Sequence, residues 1–124
     1  MPKDKTGIQW LREPEAHDYV AARSYLSLTF DRVRVGRYAQ QLARSAVTEF
    51  KAKDIFRASG LSLLGISNAH VEKDRRKIAA GTQLSPLLLV RDVGRGRVII
   101  ADGYHRLCAV YGYDEDAVIP CKIV

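Results

Sequence analysis

A chain of 124 residues with a net charge of +6, 47% apolar and 27% charged residues has the make-up of one folded domain with a core of its own. It holds no apolar run near the ~20 residues of a membrane span, and its charged start, Met1-Pro2-Lys3-Asp4-Lys5, is not followed by the apolar stretch of a secretory signal. Two cysteines, Cys108 and Cys121, are too few for a disulfide framework, so a cytoplasmic location with reduced core thiols is expected. The basic balance, with a pI of about 9.5, draws anionic partners: nucleic acid, nucleotides or acidic proteins.

In chain order, residues 1–14 are polar and expected to be loosely held, with Trp10 and Leu11 as anchors. Tyr19, Ala22 and Leu26, flanked by Val20 and Tyr25, predict an amphipathic helix over 15–28. A second helix is expected from the N-cap Asp31 to about residue 46, with Val33, Tyr38, Leu42 and Val47 as its buried stripe and Gly36 as a weak point. Val47-Thr48-Glu49-Phe50 alternates as a short strand does, and 54–59 predicts one or two helical turns closed by Gly60. The apolar stretch 61–66 fits a loop or a buried strand. Ser67 or Asn68 then caps a helix that runs to Ala80 and stops at Gly81.

Residues 86–91 carry Leu87, Leu88, Leu89 and Val90 and predict a buried strand, paired across a glycine-bearing turn with a strand over 98–101. A short helix over 104–111 follows, with Leu107, Cys108 and Tyr111 inward and Gly112 as its end. Residues 118–124 form the last strand, on which Cys121 alternates with Ile119 and Ile123 and so faces the core. The expected organisation is an N-terminal helical extension over 1–46 packed on an α/β (α+β) core over 47–124 with a small mixed sheet.

The chemistry concentrates at Asp102-Gly103-Tyr104-His105-Arg106, where a strand turns directly into a helix. The first N–H groups of a helix lack intrahelical partners and sit at the positive end of the macrodipole. A glycine lets backbone approach a ligand closely, and an arginine fork matches two phosphate oxygens. These features build a phosphate cradle. The spacing alone is equally compatible with a plain helix start, capped by Asp102 and with Arg106 in solvent.

The run Ile100-Ala101-Asp102-Gly103-Tyr104-His105-Arg106-Leu107-Cys108-Ala109, followed by Ile119-Pro120-Cys121-Lys122-Ile123-Val124, resembles the signature of the ParB/sulfiredoxin superfamily. Leu84-Ser85-Pro86-Leu87-Leu88-Leu89-Val90 resembles the strand that precedes it there. The resemblance covers residues 67–124 well and 47–66 loosely, and does not reach 1–46. It implies a small mixed sheet of ParB/sulfiredoxin type whose turn, Gly103, Tyr104, His105 and Arg106, binds nucleotide phosphates. The Tyr104 side chain falls where sulfiredoxins keep a nucleophilic cysteine, and a phenol cannot replace that thiolate, so sulfiredoxin activity is not expected. ParB proteins place a carboxylate at the position of His105. The Asp-Gly-x-His-Arg form is most similar to the free serine kinase branch, which implies a nucleotide-dependent phosphotransferase or nucleotide hydrolase.

The same resemblance makes His70, Lys73 and Lys77, which share one side of the 67–80 helix, candidate nucleotide contacts; the plain alternative is a solvated cationic face. It also makes Glu49 the candidate general base, with Asp54 and Asp102 as second choices and His105 as the other catalytic candidate. The cofactor implied is a nucleoside di- or triphosphate with Mg2+ held by phosphates and water, with no protein metal ligands, since His17 has only Asp18 beside it. Arg91, Arg95 and Arg97 lie in a basic hairpin that fits either a plain turn or non-specific nucleic-acid contact. The competing function is thus a ParB-like, nucleic-acid-associated binding module without turnover. Site-specific DNA reading is not expected, because no helix-turn-helix pair follows the core. A protein partner is expected, if at all, through the N-terminal helices, and no membrane partner is expected.

Overall fold

The computed structural model describes residues 7–65 and 67–124. Among the described residues, five helices and four strands follow in the order α1 (Ala16–Leu26), α2 (Arg32–Arg44), β1 (Thr48–Lys51), α3 (Ala52–Ser59), α4 (Ala69–Ala79), β2 (Leu87–Asp92), β3 (Arg97–Asp102), α5 (Tyr104–Tyr113) and β4 (Val118–Ile123), with a 3-10 turn at Val93–Arg95. This is a small α+β fold with a mixed sheet, as expected. No helix among the described residues is long and apolar enough to cross a membrane.

The strands lie in the order β1-β4-β2-β3, with β2 and β4 parallel and the other two pairs antiparallel. The expected pairing of β2 with β3 is present. Leu87 and Leu89 point into one face of the sheet, where α3, α4 and α5 supply Ile55, Val71, Leu107 and Val110. Leu88 and Val90 point into the other, beneath Ala22 and Leu26 of α1 and Val35 and Leu42 of α2. A strand covered on both faces needs no polar positions, which explains the unbroken Leu-Leu-Leu-Val run. The two N-terminal helices therefore cover the β2–β3 part of one face of the sheet, while β1 stays exposed. Pro120 sits in an interior strand without disrupting it, because there β4 pairs only with β1; pairing with β2 begins at Cys121.

Several local expectations shift. The N-terminal segment is held more firmly than its polarity implies. Ile8 is buried, and Leu84 is bracketed by two backbone bonds, Leu11 N–H to Leu84 O (2.8 Å) and Leu84 N–H to Gln9 O (2.9 Å). On α2 the inward stripe is Val35 and Leu42 with a half-buried Tyr38, while Val33 is exposed and Val47 half-buried. Asp31 does cap α2, its carboxylate accepting from Arg34 N–H at 2.8 Å, and this fixes which turn faces the sheet. Gly112 does not end α5: the helix runs on to Tyr113, and Asp114 N–H still reaches Val110 O at 2.9 Å. Residues 61–65 carry no strand, with Leu61 and Leu63 exposed, and Ile66 lies outside the described residues. Cys108 and Cys121 are free and buried, and Cys121 faces the core with Ile119.

Candidate phosphate-binding turn

The turn is set by an irregularity in β3. Leu89 pairs with Ile100 but Leu88 pairs with Asp102, so Ala101 and Asp102 together oppose one residue. Such a bulge re-aims a side chain at the end of a strand. Here Asp102 comes to lie beside Asp18 of α1, on the face that α1 covers. Gly103 follows with φ of 109°, and a Cβ built on it would lie 2.7 Å from Leu87 Cγ and 3.0 Å from Arg106 Nη2. Conformation and space both demand glycine at this position. Leu107 N–H bonds back to Gly103 O at 2.9 Å, and no side chain caps α5. The first N–H groups of α5 are left pointing outward with the positive end of the helix dipole.

Asp102, expected in the plain reading to cap the helix, receives Arg106 instead, Nη2 to Oδ2 at 3.0 Å. Arg106 Nε also donates to Ser85 O at 3.0 Å and Nη2 to Pro86 O at 3.4 Å. Its guanidinium thus ties the start of β2 to the end of β3, with its side chain only 17% exposed. It is neither the solvated arginine of the plain reading nor an open fork awaiting phosphate. Burial pushes the Asp102 carboxyl above its ordinary value; Arg106 pulls it down, and the neighbouring Asp18 pushes it up. Asp18 belongs to a capping box, its Oδ2 accepting from Glu15 N–H at 2.9 Å, and Glu15 Oε1 accepts from Ser85 Oγ at 3.0 Å. Sequence reading gave His17 only Asp18 as a neighbour; Glu15 joins them, with ligand atoms within 4.8 Å of one another. Both carboxylates are already engaged in starting α1.

The opposite wall comes from α4, whose N-cap Asn68 accepts from His70 N–H at 3.0 Å and Val71 N–H at 3.3 Å. His70, Lys73 and Asp74 face the turn across a pocket of about 190 Å³, whose other side is Asp102 and residues 103–106. The His70 and His105 rings stand 4.8 Å apart at 40°. Burial and the His70 ring hold His105 below the usual 6.5, against a smaller upward pull from Asp74, so it is a neutral imidazole at neutral pH. Asp74 is buried, and burial pushes its carboxyl up although Lys77, Arg106, His105 and Lys73 all pull it down.

Of the residues singled out in the sequence, Gly103, Tyr104, His105, Arg106, His70 and Lys73 meet at this pocket. Lys77, one turn further along α4, does not line it, although its charge reaches Asp74. The Tyr104 hydroxyl donates to Ser62 O, so this side chain pins the 61–65 loop. Glu49 is exposed on β1, the edge strand opposite β3, where it pairs with Pro120. Three interstrand steps separate it from β3, about 14 Å at the usual spacing. Asp54 is exposed on α3. Sequence reading missed Asp74 and Asp18; a carboxylate between lysines on a helix gives no sign that it is buried.

Comparison with family models, with characterised proteins and with solved structures finds no match.

Proposed function

We propose that the Gly103 turn binds the phosphates of a nucleoside di- or triphosphate, in a protein of ParB/sulfiredoxin-like kind. The observation that carries this reading is the uncapped N-terminus of α5 opening into a pocket where His70 and Lys73 of α4 and His105 supply further donors. The pocket volume, about 190 Å³, is below the ~300 Å³ of sites that enclose a whole small molecule. It suits one or two phosphoryl groups, with the nucleoside on the open surface beyond. Backbone N–H groups, an ammonium and two imidazoles fit phosphate oxygens, and Arg106 keeps the turn in shape and neutralises Asp102. Bound Mg2+ would offset charge on the phosphates and be held by them and by water.

A phosphotransferase or hydrolase activity also needs a base. With Glu49 across the sheet, His105 is the base proposed, a pocket-lining imidazole that is neutral at neutral pH. Calorimetry with ATP, ADP, CTP and GTP, with and without Mg2+, tests the binding. Lys73→Ala and His105→Ala should each weaken it several-fold, and affinity should rise as pH falls below 6.5, because a bound phosphate favours the imidazolium. Unchanged affinity in the folded Lys73→Ala/His105→Ala double variant overturns the reading.

A further inference from the structure

A second set of cations lies at the other end of β3. Arg97 opens the strand, Arg95 precedes it in the 3-10 turn, and Arg34 stands in the first turn of α2. The three line one cleft of about 580 Å³, three times the volume of the pocket at the turn. A neighbouring cleft of about 380 Å³ meets it at Arg34 and adds Arg32 and Arg37. Five arginines thus share one continuous surface, and none of them is buried.

The two acids that line these clefts, Asp31 and Asp92, offset only part of the arginine charge and leave the surface net positive. Asp31 caps α2 through Arg34 N–H at 2.8 Å. Asp92 pairs loosely with Arg95, Nη1 to Oδ2 at 3.6 Å. Among the described residues no carboxylate pairs with Arg97, which lies against Gly60, where a Cβ would come 3.7 Å from its Cζ. This is the opposite of Arg106, whose charge is matched inside the fold.

The cleft also has an aromatic and apolar side. Phe30 is propped edge-on by Tyr38, with centroids 5.2 Å apart, and carries the Arg34 guanidinium 5.8 Å above its ring. Tyr25 is 48% exposed and Leu61 41% exposed at the same cleft. Guanidinium forks match phosphate oxygens, and both guanidinium planes and phenol rings stack on nucleobases. A duplex keeps its bases paired inside, so it offers phosphates to the arginines and nothing to Tyr25 and Leu61. A single strand offers both.

We infer that the cleft between the α1–α2 corner and the β2–β3 hairpin binds single-stranded nucleic acid, with Arg34, Arg95 and Arg97 on its phosphates and Tyr25 against a base. The arginine end of the cleft lies away from the phosphate turn: Arg97 and Gly103 are six residues apart along β3, about 20 Å. It does not depend on nucleotide binding there.

Fluorescence anisotropy of a labelled short oligothymidylate or oligouridylate with the full chain tests it. The wild type should bind with a log K against log salt slope of about −2, as three phosphate contacts to a single strand require. Arg34→Ala/Arg97→Ala should weaken binding at least tenfold and flatten the slope, with an unchanged circular dichroism spectrum. Tyr25→Ala should cost fivefold or more for the single strand and nothing for a hairpin duplex. His105→Ala should bind the oligonucleotide as the wild type does. The inference is overturned if the folded double arginine variant binds as the wild type does. It also fails if duplex and single strand bind equally with Tyr25→Ala neutral, if His105→Ala loses as much as the arginine pair, or if polyglutamate competes as well as unlabelled oligonucleotide.

Discussion

The two ends of β3 use the same side chain to opposite purposes. At its end by Asp102, Arg106 is sequestered, bonded to the Asp102 carboxylate at the end of β3 and to the Ser85 and Pro86 carbonyls just before β2. At its start, Arg97 and its neighbours Arg34 and Arg95 stand in solvent with at most one loose carboxylate partner. An arginine that closes the framework is poorly placed to discriminate ligands, and an arginine free to bind contributes little to the framework. In the proposed readings, binding at the turn falls to backbone N–H groups and the α4 side chains, and binding at the cleft to the arginines themselves.

The contrast breaks most visibly at Gly103. Gly103→Ala must place a Cβ at φ of 109° and 2.7 Å from Leu87, which should destabilise by about 3 kcal/mol or prevent folding. Urea denaturation reads this directly, and a near-neutral alanine variant would mean that the turn relaxes easily. Arg106→Ala should come next, at about 2–4 kcal/mol, since it leaves Asp102 half-buried beside Asp18 with no counter-charge. Adding Asp102→Asn should restore part of that loss. A purely additive double variant would show that the ion pair is not what matters.

A smaller effect, in the same denaturation series, is one of pH. His105 is held below 6.5 in the fold, so the unfolded chain takes up its proton first and stability falls as pH drops below 6.5. His105→Asn should remove that fall, leaving the region between neutrality and the carboxylate range flatter than in the wild type. Tyr104→Phe removes one hydrogen bond to Ser62 and should cost about 1 kcal/mol of stability while leaving nucleotide affinity alone. Least of all, Arg34→Ala should change stability by under ~0.5 kcal/mol, as an exposed side chain should; a larger loss would move Arg34 to the architectural side of the comparison.

What could be seen in the sequence was what neighbours along the chain decide. The strand-glycine-helix turn at 98–106, the buried strand at 87–90, a cap at Ser67 or Asn68 (Asn68 in the fold) and the inward Cys121 all follow from spacing and residue type. What could not be seen depends on residues far apart. Arg106 reaches back some twenty positions to Ser85 and Pro86, and Asp102 meets Asp18 only because of the bulge and the way α1 lies on the sheet. Lys122 is another case: a lysine in a final strand, yet buried, with its Nζ 3.0 Å from Glu13 and 3.3 Å from Ala43 O. Such pairs are read only after the layers are assembled. The burial of Val35 in place of the expected Val33 is a plainer miss, a stripe begun two residues early although Tyr38 and Leu42 fall on the inward face.

The strand order carries a consequence for synthesis. β4 is made last of the four strands yet fills an interior slot, between β1 and β2. Until residues 118–123 have left the ribosome, β1 and β2 both present unpaired edges and Leu87 and Leu89 lack the packing of Ile119 and Cys121. The nascent chain must therefore wait for its closing strand with sticky edges exposed, and its need for chaperone protection should be greatest just before that strand emerges.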